Sequence, residues 1–421
     1  MKTEIESLVE LEAFIATAGH DWGSAIIQGL DLTPGHIDAL LLNDPFVPGA
    51  VFVNCAFSTA FAAKAAQVGS IIFPIRAGLS FSPGRGSVYE SVELLNGYDP
   101  ATPQTYRDTP DWKSYLASMD PASRKKRSDL GVDDYLYFRT HDLSIEDALD
   151  EYLKPDPANA ATYKKAVGIM GGHDRERREK IKNSAGVPTA DDAPYMKVAL
   201  LARKLAQSGF TIVTGGGPGA MEAGNLGAWF ASYPEESLRA AVRILEAVEV
   251  VKPLNDGTPY WNSGEWLAPA YAVKTQYPRL TTDSRTESVG VPTWFYGHEP
   301  PNIFASHIAK YFENSLREEG LLAIATHGVI FAEGNAGTVQ EIFQDATQNY
   351  YQTQGPPSPM VLLGKRTWNR GEVYQQQDLK DKPAWQLLRQ LAKEKAFSSL
   401  LLLSDDTDQI VTFLQNPPAP A

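Results

Sequence analysis

Two hydrophobic rhythms sort the chain. Short unbroken apolar runs, "GAVFVNCAF" (49–57) and "SIIFP" (70–74), flank "STAFAAKAAQVG" (58–69), whose apolar residues fall at helical spacing. This pattern predicts a strand, a helix and a second strand, a β-α-β unit. The stretch 75–135 is dense in Pro, Gly, Tyr and Ser, carries a basic-polar patch "ASRKKRSDLG" (122–131), and predicts long loops with short helices. "LKPDPANAATYKK" (153–165) has two prolines and little apolar pattern, and predicts a linker.

From residue 166 the β/α alternation becomes regular. Strands are predicted at "AVGIMGG" (166–172), 210–214, "SVGVPTWFYG" (288–297), 327–331, "PMVLLGK" (359–365) and "LLLLSD" (400–405). Helices are predicted at 195–209, in the segment after the glycines of 215–219, at 236–248, at "NIFASHIAKYFENSLREEGL" (302–321), and near 383–395. Strands separated by helices predict an α/β fold: a Rossmann-like parallel sheet with helices on both faces, plus a smaller N-terminal α/β region. The expected division is 1–160, 161–412 and a disordered tail at 413–421, where "QNPPAPA" ends the sequence.

Three strands run into glycine turns: "GGHDRE" (171–176), "GGGPGAME" (215–222) and "EGNAGTVQE" (333–341). Glycine lets the backbone approach a ligand closely, and a following helix N-terminus favours an anion. A single turn is explained by a tight corner. Three at the carboxyl ends of strands in one domain point to an anion site. A dinucleotide fingerprint would follow the first strand, with an acid closing the second. Here "GGGPGA" follows the second clear strand, and Glu235 and Glu236 open a helix. The P-loop pattern G-x-x-x-x-G-K-[ST] does not occur.

Thr338 and Glu341 fit a capping box, Thr at the N-cap and Glu three residues on, which would account for both structurally. The functional alternative uses the same residues. Gly337 and Thr338 would hold a phosphate, and Glu341 would face the attached sugar, to stabilise an oxocarbenium-like ribosyl cation or activate water. Asp345, one turn later, either shares that role or is a solvated helix residue. His173 either contacts ligand or caps its turn. His307 and Lys310 read as a solvated face of the helix that carries Arg317, and His327 reads as structural. Trp261, Trp266 and Tyr271 belong to an aromatic insert (253–278) that either lids a base or packs its own loop down, the commoner case. Trp368 is expected at the sheet edge.

Composition narrows the partners. A chain of 421 residues exceeds what one core usually organises, and 43% hydrophobic with 21% charged residues is ordinary for a globular enzyme. A net charge of −13 argues against nucleic acid or an anionic membrane as the main partner, while leaving room for a phosphorylated metabolite. One cysteine, Cys55, excludes an intrachain disulfide and a cysteine zinc site, and the seven histidines show no metal-ligand spacing. The N-terminus lacks a basic segment followed by an apolar core, and no uncharged apolar run approaches the roughly 20 residues of a membrane span. A cytoplasmic location is expected.

The motifs also carry a resemblance. "GGH" at 171–173, "TGGGPGAMEA" at 214–223, "PPN" at 300–302, Arg317, "HGVIF" at 327–331 and "GNAGTVQE" at 334–341 occur in the order of the LOG (lonely guy, lysine decarboxylase-like) family. Over about 165–410 the chain resembles that family, and within it is most similar to the pyrimidine/purine nucleotide 5′-monophosphate nucleosidases. The resemblance implies hydrolysis of the N-glycosidic bond of a nucleoside 5′-monophosphate, without metal or redox cofactor, by a homo-oligomer. It implies Glu341 and Arg317 as catalytic residues. The implied nucleotide and phosphate contacts are Gly171, Gly172, His173, Gly215, Gly216, Gly217, Gly219, Met221, Glu222, Gly334, Asn335, Ala336, Gly337 and Thr338. Two departures stand out. The family's Pro-Gly-Gly is Glu333-Gly334-Asn335 here, and Leu316 and Glu318 flank the arginine where the family adds a lysine. A nucleotide-binding sensor with lost chemistry is the alternative.

Overall fold

The computed structural model describes residues 3–44, 49–118, 131–156, 158–173, 177, 181–182, 188–189, 193–248, 262–295, 299–369 and 382–421. Most of the basic-polar patch at 122–131, and Trp261 with the start of its insert, lie outside the described residues. The chain divides into two units, 1–88 with 126–152, and 89–125 with 153–421.

The first unit is a parallel sheet in the order β1 (Thr3–Ile5), β2 (Ala25–Gln28), β3 (Val51–Val53), β4 (Ile71–Phe73). Helices Leu8–Ala16, Gly35–Asn43 and Thr59–Gln67 connect the strands. The first of them opens on a complete capping box, Ser7 with Glu10. Trp22, Ile27, Phe52 and Phe61 form its core, and Trp22 Nε1 donates to Asp44 Oδ1 at 2.8 Å. Cys55 is buried there, and burial pushes its thiol up to about 11.

The second unit holds β5 (Ala166–Met170), β6 (Thr211–Thr214), β7 (Ser288–Gly290), β8 (His307–Ile308), β9 (Val329–Phe331), β10 (Met360–Leu363) and β11 (Leu401–Ser404). All pairs are parallel, in the order β8-β7-β6-β5-β9-β10-β11. The chain winds outward from β5 to β8, then returns to lay β9 on the other side of β5. That reversal defines a doubly wound, Rossmann-like sheet and opens a crevice at the carboxyl ends of β5 and β9. Phe331 pairs with Met170, so the segments after the two strands emerge side by side. Every residue of β5, β9 and β10 is buried, as a two-sided parallel sheet requires.

Four expectations change. Residues 302–312 are not helical, and the helix spans only Asn314–Ile324. Ile303, Phe304, Ala305, Ile308, Ala309, Tyr311 and Phe312 are all buried, so the apolar run is an enclosed edge segment and not a helical stripe. Residues 89–118 belong to the larger unit and not with 1–88. Tyr89 exchanges two backbone hydrogen bonds of 2.8 Å with Ile308, and Asp111 accepts from Lys310 Nζ (2.6 Å), Trp294 Nε1 (2.9 Å) and Tyr106 Oη (2.8 Å). Lys310, expected on a solvated face, is 1% exposed. The expected tail at 413–421 begins inside the helix Thr407–Gln415, with Leu414 buried, and the Ala421 amide donates to the Ala396 carbonyl.

Candidate functional site

Gly172 ties the three glycine turns together. Its amide donates to the Glu333 carbonyl (3.0 Å), and its carbonyl accepts from the Ala220 amide (3.1 Å). This close stitching explains the glycines. A Cβ at Gly171 would lie 2.7 Å from that of Ala220, one at Gly219 would overlap the Gly172 carbonyl, and one at Gly334 would overlap the Thr338 hydroxyl. Gly216 and Gly219 also have φ of +71° and +69°, where side chains are strained.

A buried amide network holds the second turn. Thr214 Oγ1 accepts from the Gly216 amide (3.0 Å) and donates to Asn225 Oδ1 (2.7 Å). Asn302 Nδ2 donates to Asn225 Oδ1 (3.0 Å) and to the Gly217 carbonyl (3.1 Å), and the Asn302 amide donates to the Gly216 carbonyl (2.8 Å). Met221, expected as a ligand contact, is 7% exposed and underlies Gly215 and Gly217.

The capping box is absent. The helix that carries Glu341 spans Ala336–Tyr351 with Asn335 at its N-cap, so Thr338 is its third residue and Glu341 its sixth. No side chain caps this helix, nor Ala220–Trp229 after the second turn. Asn335, Ala336 and Gly337 are exposed at the helix mouth, Thr338 is buried, and Lys382 Nζ reaches Asn335 Oδ1 at 3.2 Å. A helix N-terminus without a side-chain cap attracts an anion. The Glu333 side chain lies against Gly364, at the end of β10.

Glu341 thus has no capping role, and it has no hydrogen-bond partner among the described residues. Its side chain is 16% exposed and its Oε1 lies 4.0 Å from Arg317 Nη1. Burial pushes its carboxyl up to about 7, Arg317 opposes the shift, and Glu318 and Glu299 add to it. Arg317 is 6% exposed; its Nη2 donates to Asn314 Oδ1 (2.9 Å) and its Nε is buried without a partner among the described residues. Asp345 is 3% exposed with Oδ2 unpartnered among the described residues, and burial pushes it up to about 8, so it is not a solvated residue. Glu299 is 9% exposed with Oε2 likewise unpartnered.

One expected contact differs. Glu222 turns into the core, where its carboxylate accepts from Arg177 Nε (2.8 Å), Arg177 Nη2 (2.5 Å) and Tyr195 Oη (2.9 Å). Burial works against the Arg177 charge, but Glu222 more than restores it, and the guanidinium also stacks over Trp266 at 4.8 Å. Trp266 is therefore a core residue, and Tyr271 packs on Tyr98. His173 is exposed. Trp368 is buried beside β10, an interior strand, with Nε1 donating to the Leu363 carbonyl (2.9 Å).

Sequence reasoning missed Glu299, Asn225, Asn302's role and Arg177. Glu299 directly precedes "PPN", and that adjacency was its one signal. A cavity of about 490 Å³ also lies at the opposite, amino ends of the strands, among Lys165, Phe210, His327, Pro359 and Leu414. His327 is held below its usual range there by burial and Lys165.

Neither a family model nor a curated protein matches the chain. Among solved structures, it is similar to the molybdenum cofactor binding protein from the phototrophic bacterium Rippkaea orientalis, with 11% identity and a TM-score of 0.33, over 60% of this chain and 97% of that one. It is also similar to the molybdenum cofactor carrier protein MCP from Chlamydomonas reinhardtii, with 13% identity and a TM-score of 0.33, over 60% and 96%. At these scores the likeness carries no argument about chemistry. No helix among the described residues is long and apolar enough to cross a membrane.

Proposed function

We propose that this protein hydrolyses the N-glycosidic bond of nucleoside 5′-monophosphates, giving free base and ribose 5-phosphate. One observation carries the reading: beside an uncapped helix mouth, Glu341 lies near Arg317 and feels the Glu299 charge, and Arg317 Nε and Glu299 Oε2 are buried without a partner among the described residues. Buried polar atoms are normally paired, so such a group is suited to a ligand. The resemblance to LOG-type nucleosidases supports the same reading.

The 5′-phosphate sits on the amides of 335–338, with the Thr338 hydroxyl and Lys382 beside it. Glu341, as carboxylate, faces the anomeric carbon and stabilises the positive charge that grows as the base departs. Water attacks C1′ and loses a proton, and the base leaves protonated. Arg317 steadies both Glu341 and the incoming anion. No metal or redox cofactor takes part. On the same resemblance, the working form is a cytoplasmic homodimer or larger homo-oligomer, and nucleic acid is not a partner.

The test is release of base and ribose 5-phosphate from AMP, GMP, CMP and UMP by wild type and Glu341→Ala. Turnover that vanishes in the variant is expected. Nucleotide binding without turnover would make the protein a sensor, and neither would sink the reading.

A further inference from the structure

We propose that Glu299 binds the vicinal hydroxyls of the sugar and makes the site selective for ribose over 2′-deoxyribose. This rests on the nucleotide reading above and assigns it a specificity residue. Glu299 is 9% exposed, and its Oε2 is buried with no partner among the described residues. Its nearest cation is hydrogen-bonded elsewhere: Lys310 Nζ donates to Asp111 Oδ1 at 2.6 Å and to the Glu299 backbone carbonyl at 3.5 Å, and meets the Glu299 carboxylate as a nearby charge without a hydrogen bond to it. The Glu299 Cβ lies 3.8 Å from where a Cβ on Gly217 would stand, so the side chain borders the glycine turn. Its charge is also felt by Glu341.

Glu341 follows Thr338 by three residues, about 4.5 Å along the helix axis. A 5′-phosphate at the helix mouth therefore brings the furanose ring to the level of Glu341, and the base beyond it. A carboxylate bordering the turn near Glu341 meets the ring. The donors there are the 2′ and 3′ hydroxyls on adjacent carbons, and two carboxylate oxygens can accept from both. The nearby Gly217 carbonyl already accepts from Asn302. With Glu341 turned to the anomeric carbon, Glu299 is an acceptor available to the hydroxyls at that level.

The test is calorimetric binding of ribose 5-phosphate, 2-deoxyribose 5-phosphate and inorganic phosphate to the full chain. Wild type should bind ribose 5-phosphate about tenfold more tightly than its deoxy counterpart. Glu299→Gln should lose most of that ratio, Glu299→Asp should keep part of it, and inorganic phosphate should bind all three alike. Equal binding of the two sugars by wild type, or a ratio preserved in Glu299→Gln, overturns the proposal. So does a loss that extends equally to inorganic phosphate, which would make Glu299 a structural support. If nucleotides are hydrolysed while the ratio stays unchanged, only this inference fails. If neither sugar phosphate binds, the nucleotide reading fails with it.

Discussion

Glu222 and Glu341 occupy matching places. Each lies within the first two turns of a helix that follows a glycine turn at the carboxyl end of a central strand, and each is largely withdrawn from water. Their surroundings are opposite. Three donors from Arg177 and Tyr195 satisfy Glu222, whereas Glu341 meets a guanidinium only at 4.0 Å. One carboxylate is finished as a structural element, and the other is left with its hydrogen-bonding capacity unused. Residue type and position within the βα unit do not separate the two roles; the supply of partners does.

The largest effect should come from breaking the satisfied side. Glu222→Ala leaves Arg177 as an uncompensated buried charge and should cost ~3–5 kcal/mol of stability in urea unfolding. A near-neutral result would mean that the pair is not a folding element. On the waiting side, Glu341→Ala should lower kcat by about 10²–10³-fold, as loss of one electrostatic stabiliser does, with little change in urea midpoint. If its stability falls as far as that of Glu222→Ala, the contrast collapses.

Asp345 sharpens the comparison through pH. Its folded carboxyl is raised to about 8 from an ordinary 3.8, so the unfolded chain releases the proton first and stability drains away as pH rises between those values. Asp345→Asn removes that slope. Its stability relative to wild type should improve by about 2–3 kcal/mol from pH ~5 to pH ~7. A flat difference would show that Asp345 ionises freely. The smallest effect concerns the rate profile. On the proposed hydrolase reading Glu341 acts as a carboxylate, so kcat/KM should rise through about pH 7. Because Arg317 holds that carboxyl down, Arg317→Gln should move the midpoint alkaline by about one unit, alongside its loss of rate.

Much of the sheet was legible in the sequence, because β5, β6, β9, β10 and β11 are apolar runs ended by turn residues. The segment 302–312 was not. Burial on all sides erases the period that separates strand from helix, and its apolar residues happened to mimic a helical stripe. The site was legible as a set of turns, since glycine is forced wherever Gly172 stitches its neighbours. Its carboxylates were harder to read. Thr338 and Glu341 spell a capping box that the helix, starting at Ala336, does not form. Glu222 gave no sign that an arginine 45 positions upstream would enclose it. Partner supply arises from tertiary packing, and local spacing carries no record of it.

The Asp111–Lys310 pair has a consequence for how this chain can be divided. The larger unit is discontinuous in sequence, and Asp111, which neutralises a fully buried ammonium beside β8, is delivered from a segment more than forty positions before β5 begins. A gene cut at the apparent linker near 160 would therefore not release an autonomous module. The shortened product would carry a stranded cation and a bare edge at Ile308, and the Trp294 indole would lose its Asp111 acceptor. Any ancestral fusion or present-day domain exchange has to move residues 89–118 along with the sheet they complete.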